Sequence, residues 1–533
     1  MFVLFFLACE PDPTPTDTGE IPVDSSVEDS SVEDTSFEDT SVEDTGRDTG
    51  RDDTGDTSVE DTAVEDTGEP CEEGTWELCD GIDQDCDGLA DERWVPGDYA
   101  TIQDAVDASS DGDAVCVSPG TYTEQVSVTA KDISLVGVDG SSATIIDADG
   151  AGQVLAYEGG ENGTIRGFTI TGGAGSTALG LGLYVKDSAM VVEDIVSTGN
   201  HAECTGQCAG VGGLIYGGSV TLRDSSFSDN SCTMNGSGAR CWGTGLWTYF
   251  DESIVEDVTI RDNRIDDDGT NNQGGAAGLY ITLSKTSFDG VDIIGNEVDL
   301  DGGYSMGAAL IANTMSEVSF EHLRVVDNVG STQARSGGRI FGNVFVDGST
   351  VTIDNSVIAG NTLVGTDTVY GAAVVSYNEA EVTLTNSVVT KNALESNNDD
   401  EMFIRGSVGS AITKGSLTFH NCDLSDNTLS GDDDSPYGGD AFWADDDASI
   451  SFAYSNVTNN ANGGFYNASN PVGSDGNIAV DSGFVDTSGA TAESWDLTLS
   501  SGSALIDAGD PSITDVDGST SDIGAYGGPG GAW

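Results

Sequence analysis

The chain has 533 residues, with 93 Asp and Glu against 17 Lys and Arg and a formal charge of −76. Such a field repels nucleic acid and anionic headgroups and draws cations, so a nucleic-acid-binding function is excluded. Glycine at 72 and hydrophobic residues at 37% suit a core of short strands and many turns, while three histidines leave little for acid–base catalysis.

Residues 1–9, MFVLFFLAC, carry an apolar run too short to span a bilayer and suited to a secretory signal. Ala8-Cys9 is similar to the end of a lipoprotein signal, although no Lys or Arg precedes the run and Phe6 stands where an aliphatic residue is usual. That similarity implies a lipidated Cys9 and a chain exported to the outer membrane or cell surface. Residues 10–70 repeat SVEDT, FEDT and GRDTG and hold 22 of the acids against two bases. Val27, Val32, Val42, Val59 and Val64 are too sparse for a core, so this stretch is expected to be a disordered, self-repelling spacer.

Residues 71–93 form a Cys/Asp-rich segment. The run from Cys79 to Glu92, CDGIDQDCDGLADE, spaces Asp83, Asp85 and Asp87 as a hard-oxygen set, with Gly88 for a tight turn and Asp91 or Glu92 to complete the shell. Calcium is the expected ion, although Trp94 stands where an EF-hand loop would place its Glu. The stretch resembles the Cys-Asp-Gly repeats of MopE-type surface proteins, which implies metal binding. Cys79 and Cys86 could close this loop with a disulfide, and Cys71 has no assigned partner.

A β-helix is expected over residues 94–485. The run Tyr99–Ala108 reads as an amphipathic cap helix with Ile102, Ala105 and Val106 on one face. Residues 95–140, including Gly120-Thr-Tyr122-Thr-Glu124, resemble the opening of pectin methylesterases, whose signature there is GxYxE. Further on, segments ending in Asn recur at Asn200, Asn230, Asn263, Asn296, Asn328, Asn361, Asn392, Asn427 and Asn460, 30 to 35 residues apart. Counting back from each Asn, positions −10 and −8 and then −5 and −3 are mostly apolar, which marks two short strands joined by a bend. A third strand follows the glycines, as in GAALI at 307–311, and leaves one longer loop per repeat. The bend column at −6 reads Asp194, Asp224, Asp257, Gly290, His322, Asn355, Asn386, Asn421, Tyr454, residues that suit a left-handed conformation, with Asn amides able to stack. These features resemble the right-handed parallel β-helix of the pectate-lyase-like superfamily, with about a dozen coils at ~4.8 Å per strand.

Ten cysteines in an exported chain favour disulfides. Cys204 and Cys208 lie in one loop and Cys232 and Cys241 in the next, so stacking gathers four sulfurs, with three pairings or a four-thiolate zinc site open to them. Cys422, at an inward strand position, is expected to be a free core thiol.

Catalytic motifs are thin. The strings QDTL, DFIFG and GRPW of the esterases are missing, as are the NTD, GHG and RIK of galacturonan hydrolases. His201, His322 and His420 fall in unrelated settings, and Arg223, Arg261, Arg264 and Arg324 occupy different columns. A polyuronate would also meet a like-charged surface. The expected function is therefore a non-catalytic, adhesive or glycan-binding surface rod, with an unrecognised polysaccharide lyase, esterase or hydrolase as the alternative. Trp242, Trp247, Tyr249, Tyr304 and Trp443 read as loop aromatics that could stack on sugar rings. Residues 486–533 resemble the C-terminal segment of bacterial surface β-helix proteins and are expected to close the end of the rod. Asp515, Asp517 and Asp522 there are candidates for a second cation or for turn residues.

Overall fold

The computed structural model describes Cys79 and residues 92–533, apart from 161, 177–178, 268–271, 302–303, 333–338, 366–367, 397–402, 431–440 and 462–463. Contacts divide the chain at Gly68, and every described residue belongs to the unit Glu69–Trp533. Cys9 and the spacer lie outside the described residues. So do Cys71, Asp83, Asp85, Cys86, Asp87 and Asp91, while Glu92 opens the strand Glu92–Val95.

The fold is an all-β parallel solenoid of about 9 turns, fewer than the dozen expected. Its start is closed as the sequence predicts. The helix Ile102–Ala108 buries Ile102, Ala105 and Val106, with Thr101 capping through the Asp104 amide. The two carboxylate oxygens of Glu124 accept the amides of Ile102 and Gln103, each at 3.0 Å. The glutamate of the GxYxE signature therefore satisfies orphan donors of the helix and complements its positive end. Beneath the helix, Cys79 is bonded to the buried Cys116. The expected Cys79–Cys86 loop is thus corrected: Cys116 reads in sequence as one more apolar strand residue, and only stacking brings Cys79 to it.

Within a coil the apolar columns are as read from the repeat. Val318, Val351, Val382, Leu417 and Ile450 are register partners, as are Phe320, Ile353, Leu384, Phe419 and Phe452. Every residue of the bend column has positive φ, from 44° at Asn386 to 64° at Gly290. This conformation disfavours β-branched residues, and none stands there.

Two features differ from expectation. The stretch read as a long loop supplies two further strands per coil, as in Val329–Thr332 and Arg339–Phe341. They stack into a nine-stranded and a seven-stranded sheet beside the main one, with a separate core of Ile265, Val298, Leu300, Ile340, Leu363 and Leu394. The amide ladder also lies six residues beyond the bend, at the repeat-ending asparagines, all buried. In the middle of the series, the backbone N–H and Nδ2 of Asn296 both donate to Oδ1 of Asn328, at 2.9 and 3.0 Å, and Asn328 treats Asn361 alike. In the bend column the corresponding amide contact is Asn421 to Asn386.

The C-terminal segment was expected at the end of the solenoid. Instead it runs back along one side, over the short strands that follow the bend. Ala492, Leu497 and Ala525 pack on Ile294, Val326, Val357, Ala359 and Val388. Asp327 accepts the amides of Ala492 and Glu493, and Asn355 donates to the carbonyls of Ala525 and Gly527. These sheet faces are apolar outside as well as inside, so they need a cover.

Beside the strap, Asp423 is fully buried, with Asn456 Nδ2 donating to its Oδ1 at 2.9 Å. Burial pushes its carboxyl up to about 6, against the pull of Ser482, Asn456 and Ser425. A carboxyl raised on folding stabilises below its unfolded value, and that contribution is lost as pH rises through about 6. Asp423→Asn should therefore gain stability over the parent at pH 7, on the order of 2–3 kcal/mol, with the gain vanishing toward pH 4. Paired urea titrations at the two pH values test this, and a pH-independent difference would reject it.

Candidate functional site

The strands of the seven-stranded sheet turn into the main sheet through left-handed residues, among them Gly243, Ala276, Gly307, Gly371 and Gly406. Outward side chains of the two strands meet in the corner so formed. Trp242 stacks on Tyr280 at 5.6 Å and Trp247 meets the same ring at 5.3 Å. Phe341 stacks on Tyr370 at 5.2 Å, and Tyr370 meets Trp443 at 5.7 Å. Trp242, Trp247 and Trp443 were expected in loops; they stand in strands and are only 6, 2 and 4% exposed. Their spacing by whole coils, which sequence distance conceals, makes them cover one another. Tyr249 is half-buried against Tyr216 at 4.9 Å, and Tyr304 lies in the strand Tyr304–Met306.

The stack ends in a cleft of about 520 Å³ lined by Arg405, Trp443, Asp445, Asp446, Asp447, Tyr466 and Asn467. Tyr466 lies parallel to Trp443, at 5.9 Å and 5°. The Arg405 guanidinium sits 4.3 Å from the centre of a Trp443 ring and 5.4 Å from that of Tyr370, a cation–π arrangement that holds its fork in place. Asp445 and Asp447 accept the amides of Thr413 and Lys414, and Asp446 accepts from Asn467. Each carboxylate keeps further lone pairs for a ligand. The Trp443 indole N–H is buried and has no hydrogen-bond partner among the described residues. The arrangement offers an aromatic surface, a planar cation and a row of carboxylate acceptors.

The most enzyme-like constellation lies elsewhere. His201 Nδ1 meets Ser231 Oγ at 2.8 Å and its Nε2 meets Glu203 at 2.9 Å. Hydrogen bonds from His201 and Asn235 hold the Glu203 carboxyl below its usual range. The adjoining amides are committed: Ser231 N donates to Asn200 O and Arg264 N to Asn230 O, so these supply no oxyanion donors. His322 bonds Asp289 and the Gly530 carbonyl, and His420 bonds Asp510; both fasten the strap. His322 has the expected bend conformation, with φ 54°. The four candidate arginines are ion-paired: Arg223 with Glu193, Arg261 with Asp262 and Glu493, Arg264 with Asp266 and Glu297, Arg324 with Asp292.

Of the acidic candidates, the set Asp83, Asp85, Asp87 and Asp91 lies outside the described residues. Asp515 accepts the amides of Asp522 and Gly528, Asp517 those of Ser519 and its hydroxyl, and Asp522 that of Asp507. Burial raises the Asp522 carboxyl against the pull of the Asp507 amide, with the Asp515 charge adding to the rise, while the Ser519 bonds lower that of Asp517. All three carboxylates accept turn amides, and each keeps further lone pairs. Asp224 and Asp257 in the bend column are exposed, and Asp194 accepts the Ser141 hydroxyl at 2.6 Å.

No protein-family model and no curated protein matches the chain. Among solved structures it is similar to the crystal structure of pectate lyase Pel9A, at 15% identity and a TM-score of 0.37, over 79% of this chain and 89% of that one. So loose a superposition lends nothing to a shared activity, which leaves the aromatic cleft to carry the functional reading.

Proposed function

We propose that the chain is an exported, lipid-anchored surface β-helix protein that binds neutral glycan without transforming it. The observation that supports this is the cleft at Trp443 and Tyr466, where a half-buried ring, a fixed guanidinium and three carboxylates match the apolar faces and hydroxyls of a sugar. The charge of −76 favours a neutral polymer over a polyuronate. Cys9 carries the lipid, residues 10–70 hold the folded part off the membrane, and calcium orders the loop of Asp83, Asp85, Asp87, Asp91 and Glu92.

The test is a neutral-glycan array probed with the parent protein in calcium, then in chelator, with Tyr466→Ala and Trp443→Ala beside it. Expected is binding to a subset of neutral glycans that weakens about tenfold or more in both variants. Chelation should lower the melting temperature and spare the glycan preference. Release of unsaturated or reducing ends from any polysaccharide would replace this reading with the enzymatic one.

A further inference from the structure

Four sulfurs meet in the second lobe, where the seven-stranded sheet begins. Cys204 ends the strand His201–Cys204 and Cys208 lies in Gln207–Ala209; one coil on, Cys232 lies in Ser231–Met234 and Cys241 in Arg240–Trp242. Cys208 and Cys241 are direct register partners, and all four are 0% exposed. The sulfurs of Cys204, Cys208 and Cys232 lie within 4.8 Å of one another, and Cys241 is bonded to Cys232. Leu181, Ala202, Val211, Met234, Ala239 and Ile265 share their core.

Core filling does not account for the set. Cys422 shows what a filler looks like: a lone buried thiol that burial pushes up to about 12. In the second lobe four sulfurs instead gather from two neighbouring coils, with Cys208 in register with Cys241 and three of the sulfurs within 4.8 Å of one another. One ion held by all four sulfurs would tie the two coils together, which bridges within each coil would not.

We propose that these four sulfurs form a tetrathiolate site for one zinc-class divalent cation, open when the Cys232–Cys241 bridge is reduced. Zinc–sulfur bonds of about 2.3 Å place tetrahedral sulfurs about 3.8 Å apart, inside the present spacing of Cys204, Cys208 and Cys232, with Cys241 bonded to the last of these. Opening the bridge takes two electrons and two protons from two external thiols, which leave as a disulfide. The cation then displaces the four thiol protons to solvent. Burial is no obstacle, since a structural ion is taken up as the site folds.

The full chain, reduced with a phosphine in denaturant, is refolded without air with increasing cobalt and then titrated with zinc. Expected is a thiolate-to-cobalt charge-transfer band that saturates at one ion per chain and is bleached by one equivalent of zinc. The unreduced protein should give no band. Cys204→Ser and Cys208→Ser should each lower the band by about a quarter and weaken cobalt binding, although the remaining cysteines are intact. If a variant fails to fold, band intensity in the parent, which scales with the number of thiolates, still decides. Absence of the band in the reduced parent, its survival at full intensity in a folded Ser variant, or an intensity of fewer than four thiolates in the parent would overturn the proposal. Carboxylate-only cobalt spectra would do the same.

Discussion

Replacing Asn328 with Leu should cost on the order of 5 kcal/mol and divide the unfolding transition. Its side chain accepts from the backbone and amide of Asn296 and donates to the carbonyls of Ile293 and Val326 and to Asn361. Leucine has roughly the same volume, so the loss is polar: buried donors and acceptors are left unpaired at about 1–3 kcal/mol each. Because each coil touches chiefly its neighbours, the damage should uncouple the coils on either side. Urea unfolding followed by tryptophan fluorescence should then resolve two transitions where the parent has one. Asn460, at the last rung, should cost less. A loss below about 1 kcal/mol at Asn328 would mean that the strand ladders alone hold the coils together.

Deleting residues 486–533 should expose an apolar strip, not merely shorten the molecule. Ile294, Val326, Val357 and Val388 are each less than 5% exposed beneath the strap. Uncovering side chains of this size costs about 1.5–3 kcal/mol for each one fully exposed, so a total on the order of 5 kcal/mol is expected. Binding of a fluorescent apolar dye should rise, and the truncated chain should associate through the strip. Leu497→Asp in the intact chain should reproduce a weaker form of both effects. A truncated chain that stays monomeric, dye-silent and as stable as its parent would show that the strip needs no cover.

Much of this was legible in the residues because a solenoid repeats its physics. Alternation by two, a step of three at the bend and asparagine every 30 to 35 residues are local facts, and they set strands, turns and register together. The bend column is a good case, since Asp, Asn, Gly, His and Tyr in one register announce positive φ without any structure. The cap helix was equally plain. The role of Glu124 was not, because its target amides lie more than twenty residues back in the chain.

The candidate site was only partly legible. Trp443 was singled out, yet its partners Arg405 and Tyr466 come from neighbouring coils, and nothing in the chain sets them apart from other Arg and Tyr residues. The sequence by itself determined the parallel β-helix, its helical cap, the left-handed bends and the gathering of four cysteines, because each follows from short-range conformational preference repeated at a constant period. Only the tertiary structure decided the Cys79–Cys116 bond, the second lobe, the buried aromatic corner and the strap. Those depend on which surfaces face each other once the coils are stacked. An apolar outer face is satisfied by whatever covers it, and a sequence pattern records the face without naming its cover.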